Sequence, residues 1–273
     1  MNKAKDKQQQ FEKNCRILGL KTLQEQYREL TKKAIAAKIG HFEFIYDIVQ
    51  QEAACKKQRR IEYLIKNSRL PRPLNLLDDF DFDFQPKLDR RLIAQLATME
   101  FIENSESILF IGDPGTGKSH LARSLSLIAC QSGCRVHYTT CSDLIVDLNA
   151  GVFEKNLDAR LKKYIKCDLL VIDEMGHDRL ELQVTKEAHL LFKVIDQRYR
   201  DKKSLIFTTN ITEVDWPEFL GDPVSTAAIL DRIFHHSVIV SIEGPSYRKH
   251  QSRLLQERYR QKNSRSKDQH TGA

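Results

Sequence analysis

The sequence predicts an α/β fold: a five-stranded parallel sheet flanked by helices and preceded by a small all-helical N-terminal domain. Three observations predict it. From Ser107 onward, short apolar runs alternate with helical patterns, the order that builds parallel strands with helices on both faces. The first of these runs, Ser107 to Ile111, opens directly into GDPGTGKS, a glycine-rich turn that leads into a helix. Before residue 67, apolar side chains recur at helical spacing and no strand pattern is present.

In chain order, a polar lead precedes Thr22-Leu23-Gln24-Glu25, which reads as a capping box with Thr22 as N-cap and Glu25 reaching back. Leu23, Tyr27, Leu30 and Ala34 then share a helix face as far as about Lys38, with a stop near Gly40. A longer helix is expected from Phe42 through Ile65, carrying the cluster Lys56, Lys57, Arg59 and Arg60. That cluster is either a solvated face or a contact for phosphates or a partner. Pro71, Pro73 and Pro86 bracket the alternating Asp and Phe of residues 78–84 and exclude a continuing helix. This stretch reads as a linker that docks on the next domain, and Leu88 to Asn104 as one amphipathic helix. The boundaries are then 1–66 for a helical interaction domain, 67–86 for the linker, 87–250 for the α/β domain and 251–273 for a tail.

Strands are expected at Ser107–Ile111, Arg135–Thr140, Asp168–Ile172, Ser204–Thr209 and Val238–Ile242. Helices are expected at His120–Ser132, Ser142–Leu148, Asn156–Ile165, Lys186–Asp201 and Val224–His235. In open parallel sheets ligands gather at the carboxyl ends of strands, and the chemically suggestive residues fall there.

The turn fits G-x-x-x-x-G-K-[ST] at Gly112, Gly117, Lys118 and Ser119. Glycines let successive N–H groups point at one anion beside the positive end of a helix. Gly112, Asp113, Pro114, Gly115, Thr116, Gly117, Lys118 and Ser119, with His120 opening the helix, are therefore the expected ATP-binding set. Lys118 would reach the β and γ phosphates and Ser119 would hold Mg²⁺. Asp168 to Ile172 is an apolar strand that ends in Asp173 and Glu174. Asp173 suits the Mg²⁺ shell and Glu174 suits polarising the attacking water. Asn210, at the tip of Ser204–Thr209, could bond the γ phosphate and that water without adding charge.

Arg232 stands on the helix before the last strand, where its guanidinium could serve a neighbouring subunit's site or simply pair with Asp231. Arg248 is a candidate for contacting phosphate within its own subunit. Lys155, Arg160, Lys162 and Lys163 form a basic row that could track a nucleic-acid backbone or be a solvated helix face. His177, His235 and His236 lack a third ligand at suitable spacing and read as packing or surface residues.

Composition sets the limits. The 273-residue chain is long enough for a sizeable core, and no apolar run approaches the roughly 18 residues of a membrane span. The start MNKAKDKQQQ is no signal peptide, so a cytoplasmic protein without a membrane partner is expected. Six cysteines without a C-x-x-C pair read as reduced, apolar-like residues. The net charge of +7 is uneven: residues 1–70 carry +8 and residues 251–273 carry +4, leaving −5 between them. Basic ends around a nucleotide-binding centre favour nucleic acid.

Together GDPGTGKS, LLVIDE, FTTN and LDRIFHH, finishing in SYR, resemble the AAA+ ATPases of the initiator and helicase-loader group. The span from about Leu20 to Arg248 is more closely similar to the IstB-like family, helper ATPases of insertion-sequence transposons. The similarity includes Leu70-Pro71, residues 79–82, Leu88-Asp89-Arg90, Gly221-Asp222-Pro223 and Ile229 through His236. It implies an ATPase forming ADP and phosphate, with Asp173 and Glu174 as Walker B, Asn210 as sensor one and Arg232 acting in trans. It further implies a homo-oligomer that assembles on double-stranded DNA, deforms it, and recruits or stimulates a cognate transposase. A replicative helicase loader with the same core is the alternative, and an ATP-binding structural module without turnover is a third.

Asp113 departs from the family, which usually has a neutral residue there; an acid beside the phosphates would weaken nucleotide affinity. The basic tail past Arg253 has no counterpart and reads as disordered or DNA-associated. No room remains after Ile242 for a helical lid, which leaves the nucleotide exposed unless a neighbouring subunit covers it.

Overall fold

Alternate residues of an extended chain point to opposite faces, and the apolar strands of this protein use both. In the computed structural model, Ile108 and Phe110 join one buried cluster while Leu109 joins another. Ile206 separates in the same way from Leu205 and Phe207, and Leu169 and Val171 from Leu170 and Ile172. The result is a sheet with a core on each side, as continuous apolar strands require. Residues 2–176, 184–211, 215–216 and 223–268 are described. His177, together with Gly221 and Asp222, lies outside them.

The chain divides into two units, 1–63 and 64–273. Three helices supply the first: α1 (Asn2–Leu18), α2 (Lys21–Ala36) and most of α3 (His41–Asn67). Helix α1 was not expected from its polar sequence. The capping box is replaced by a longer-range solution. Leu20 is the N-cap and makes no side-chain cap, while the Leu23 N–H donates to Glu52 Oε2 at 2.9 Å. Glu52 also accepts from Arg59 Nη2 at 2.8 Å, and Arg59 Nη1 reaches Thr22 Oγ1 at 3.3 Å. Thr22 is buried, so a carboxylate from α3 does what Thr22 and Glu25 were expected to do. Burial opposes the Glu52 charge, but these donors hold its carboxyl below its ordinary value.

In the second unit the expected helix over 88–104 is broken into α4 (Arg90–Leu96) and α5 (Glu100–Glu103). Asp89 caps α4 through Arg91 N at 2.8 Å and Leu92 N at 3.2 Å, and Met99 takes a left-handed φ of 69°. The break has a packing reason. Phe101 lies off the stripe of Leu92, Leu96, Met99 and Ile102, and only a turn at Met99 lets it be buried together with Leu96.

Strands β1 (Ser107–Gly112), β2 (Val136–Thr140), β3 (Leu169–Met175), β4 (Ser204–Thr209) and β5 (Ser237–Ile242) form one parallel sheet in the order β2-β3-β4-β1-β5. The connecting helices are α6 (Lys118–Gln131), α7 (Cys141–Phe153), α8 (Leu157–Lys166), α9 (Val184–Arg200) and α10 (Pro223–His235). A last helix, α11, covers Tyr247–Asp268 where a disordered tail was expected. Its sequence has no Gly or Pro and is rich in Arg, Gln and Lys, good helix formers, so local propensity outweighs its basic charge. Among the described residues no helix is long and apolar enough to cross a membrane.

One buried charge organises the end of the sheet where strands begin. Arg198, 0% exposed, donates through Nη1 to the carbonyls of Tyr164 at 2.7 Å and Cys167 at 3.1 Å. Its Nη2 donates to Ser204 O at 2.6 Å and Asp168 O at 3.3 Å. It thereby caps the negative end of α8 and ties it to the starts of β3 and β4. Cys130 and Cys167 are buried, and burial raises both thiols, Cys130 to about 11.

Candidate functional site

The loop between β1 and α6 curls as its glycines allow. Gly117, the N-cap of α6, has φ 107°, and a Cβ there would meet Phe80 Cε2 at 2.5 Å. Thr116 Oγ1 donates to Asp113 O at 2.9 Å. Lys118 Nζ donates to Gly112 O at 2.6 Å and Asp113 O at 2.8 Å, which pins the lysine inside the turn. Burial pushes its ammonium below the ordinary value, and Arg248 adds to the effect. Asp113 is exposed, and its carbonyl accepts from Thr116 and Lys118.

Asp173 lies near the end of β3 at 0% exposure with five donors around one carboxylate. Oδ1 accepts from Ser119 Oγ at 2.7 Å, from the Glu174 N–H at 3.1 Å and from Thr208 Oγ1. Oδ2 accepts from Arg123 Nη2 at 3.2 Å and from the Tyr138 hydroxyl. Burial and Asp173 push the Tyr138 hydroxyl well above its ordinary value. The β3–β4 register shifts between Ile172 and Met175, and Glu174 takes a left-handed φ of 60°. Such an irregularity re-aims a side chain: Asp173 stays inside and the adjacent Glu174 turns out into the cleft.

That cleft, about 430 Å³, is lined by Gly115 through His120, by Glu174 and by Arg248. Its outer wall comes from residues 80–85 and 245–247. Phe80 packs edge-on to His120 at 5.5 Å, and Phe84 edge-on to Tyr247 at 5.1 Å. Gln85 Nε2 donates to Pro245 O at 3.0 Å, and the Tyr247 N–H donates to Gly115 O at 2.9 Å. The chain thus supplies one wall of the cleft itself. His120 is absorbed by this wall: its Nε2 bonds Leu76 O at 2.9 Å, which leaves Nδ1 to accept from Asn75 Nδ2 at 3.1 Å.

Asn210 follows β4 and lines a smaller recess with Pro114, Lys118, Ser119, Glu174 and Arg248. Ser119 and Asp173 offer hard oxygen ligands side by side, the donor set that suits Mg²⁺.

Arg232 is not brought to this cleft. Its Nε donates to Asp196 Oδ1 at 2.8 Å and its guanidinium lies 5.0 Å from the Phe192 ring centroid, so Asp196, not Asp231, is its partner. The basic row is also divided. Arg160 pairs with Asp147 and Glu154 at 2.7 Å each, and Lys163 with Asp147 at 2.6 Å, while Lys155 and Lys162 are exposed. His235 and His236 contact each other and Tyr199.

Arg123, Tyr138 and Thr208 were missed, and so were Phe80, Phe84, Gln85 and Tyr247. Arg123 alone carried a local signal, standing four residues after Ser119 on one helix face.

Comparison with known proteins gives one consistent result. The family described as IstB-like ATP binding protein matches residues 13–255. A protein described as the ATP-binding protein of insertion sequence IS5376 in Geobacillus stearothermophilus is 38% identical over 244 residues, covering 89% of this chain and 95% of the relative. Its counterpart in insertion sequence IS21 of Pseudomonas aeruginosa is 36% identical over 231 residues, 85% of each chain. Among solved structures, DnaI aligns with a TM-score of 0.52 at 19% identity, over 65% of this chain and 94% of that one. AMPPCP-bound DnaA from Aquifex aeolicus aligns with a TM-score of 0.51 at 20% identity, over 64% of this chain and 51% of DnaA. At those identities the structural likeness speaks for the fold alone.

Proposed function

The chain belongs to the family of IstB-like ATP-binding proteins, and on that premise we propose that it is an Mg²⁺-dependent ATPase. We further propose that it assembles as a homo-oligomer on double-stranded DNA, deforms the duplex, and recruits or stimulates the transposase of its insertion sequence. The observation that carries the ATPase reading is the meeting of Ser119 Oγ and Asp173 Oδ1 at 2.7 Å beside an outward-turned Glu174.

In this reading the loop N–H groups and the N-terminus of α6 bind the phosphates, and Lys118 and Arg248 meet their negative charge. Ser119 and Asp173 would hold Mg²⁺, which would supply positive charge to the phosphates when bound. Glu174 takes up the proton of the attacking water, and Asn210 orients that water by hydrogen bonding. The transferred group carries charge on its equatorial oxygens, and Arg232 of an adjacent subunit stabilises it.

Exposed Lys155 and Lys162 supply sequence-indifferent phosphate contacts. Duplex binding with ATP should therefore weaken steeply as salt rises from 50 to about 200 mM. Salt-independent binding, or none at low salt, refutes the DNA reading. For the oligomer, mixed Lys118→Ala and Arg232→Ala subunits should regain phosphate release that neither has alone. Co-assembly without any rescue refutes action in trans.

A further inference from the structure

One of the donors to Asp173 is a cation. Arg123 lies one helical turn beyond Ser119, so α6 presents both to the same carboxylate: Ser119 to Oδ1 at 2.7 Å and Arg123 to Oδ2 at 3.2 Å. Tyr138, on the neighbouring strand β2, adds its hydroxyl to Oδ2. A fully buried carboxylate needs both a counter-charge and hydrogen bonds, and this set supplies them without a metal ion.

The guanidinium is held in a way that lets it move. Arg123 Nε donates to the Tyr138 hydroxyl at 2.9 Å, and its Cζ stands 5.3 Å from that ring's centroid. Its side chain is 28% exposed and borders two cavities. One is the phosphate cleft; the other is lined by Tyr138, Thr139 and Thr140 of β2 and by Asp143 and Asp147. Arg123 can therefore swing about Tyr138 off Asp173 into solvent-accessible space. Asp173 itself has nowhere to go.

We propose that Arg123 is a tethered counter-ion for Asp173 that competes with the divalent cation, so that the metal dependence of nucleotide binding is set by the cost of displacing a guanidinium. The inference rests on the ATPase reading and assigns Arg123 a positioning role, exerted through Asp173, with Tyr138 as its pivot. It explains why an arginine is placed within bonding distance of the very carboxylate that the metal requires. A site of this kind keeps Asp173 satisfied between nucleotides and admits the metal only when the nucleotide's own oxygens help to pull it in.

The test compares ADP affinity in EDTA with ADP affinity in saturating Mn²⁺, by calorimetry, for the full-length wild type, Arg123→Gln and Arg123→Lys. The ratio of the two affinities measures coupling between metal and nucleotide. Arg123→Gln removes the competitor, and its ratio should exceed the wild-type ratio by about fivefold or more, the low end of site-to-site couplings. Arg123→Lys, which keeps the charge and loses the fork, should fall between. Melting temperature should drop more for ligand-free Arg123→Gln than for the same variant with Mn²⁺ and ADP. If Arg123→Gln does not fold, Arg123→Lys and Tyr138→Phe carry the test, each expected to raise the ratio by a smaller factor. A ratio equal to or below wild type in the folded variants overturns the proposal, because a guanidinium that merely neutralises Asp173 structurally would leave the ratio unmoved. Wild-type protein that binds ADP in neither condition overturns the nucleotide reading first and this inference with it.

Discussion

Asp173 and Arg198 are both charged and both 0% exposed, yet they are satisfied in opposite ways. Arg198 is held mainly by backbone carbonyls of α8, β3 and β4, groups that cannot leave without unfolding. Asp173 is held mainly by side chains, Ser119, Thr208, Arg123 and Tyr138, which can rotate away. The first charge is a rivet and the second is a socket. How a buried charge is solvated separates architecture from function here more clearly than the depth of its burial.

Stability measurements can break that distinction. Arg198→Leu should have the largest effect: it strips several buried carbonyls of their donor at once and should cost about 3–5 kcal/mol in urea denaturation. A loss under about 1 kcal/mol, the range of surface changes and small adjustments, would mean that those carbonyls find other partners and that the rivet is illusory.

His137, on β2 between the two charges, gives a pH signature. Burial, reinforced by the positive charge of Arg69, lowers it from 6.5 to about 4, and its Nε2 has no partner among the described residues. Below pH 6.5 the unfolded chain takes up this proton while the folded chain does not until about pH 4. Stability from this group is therefore present above 6.5 and lost as pH falls through that window, by about 3 kcal/mol in total. His137→Phe keeps the ring against Tyr164 and should flatten the acid limb of melting temperature against pH. An unchanged limb would place the acid sensitivity elsewhere.

Asp173→Asn should cost less, about 1–2 kcal/mol, because an amide oxygen still accepts from Ser119 and Thr208, and Arg123, whose N–H groups the new NH₂ would oppose, is partly exposed and can turn to solvent. Phosphate release should nonetheless disappear. Smallest in stability is Glu174→Gln, whose exposed side chain leaves melting within about 0.5 kcal/mol. It should still lower phosphate release by about 10²-fold or more. Normal release from Glu174→Gln would return the protein to a nucleotide-binding module without turnover.

The strands and both motifs were legible because their signals are local: continuous apolar runs, and residue types within eight positions of one another. The order β2-β3-β4 is not local. Tyr138, Asp173 and Thr208 converge only because three strands separated by long helical connections lie side by side, and nothing near Tyr138 or Thr208 in the chain announces it. Similar long-range choices defeated the other expectations. Glu52 displaced the capping box from 29 residues away, Phe101 broke a helix whose spacing looked continuous, and Asp196 claimed Arg232 ahead of its sequence neighbour. Helix α1 went unseen because its stripe of Phe11, Cys15 and Leu18 is confined to the second half of a polar segment, and the length of α11 because its polar sequence rests on propensity.

The wall over the phosphate loop has a practical sequel. Phe80, Phe84 and Gln85 precede residue 87, where the proline-bracketed linker puts the start of the nucleotide-binding domain; Phe80 closes against His120, and Phe84 and Gln85 against Tyr247 and Pro245 from the far end of that domain. The catalytic motifs are consequently not portable as a cassette. A fragment cut at residue 87 would retain every motif residue and lose one side of its nucleotide cleft. Any fusion or truncation series meant to report on ATP binding has to begin upstream of the Phe-Asp stretch.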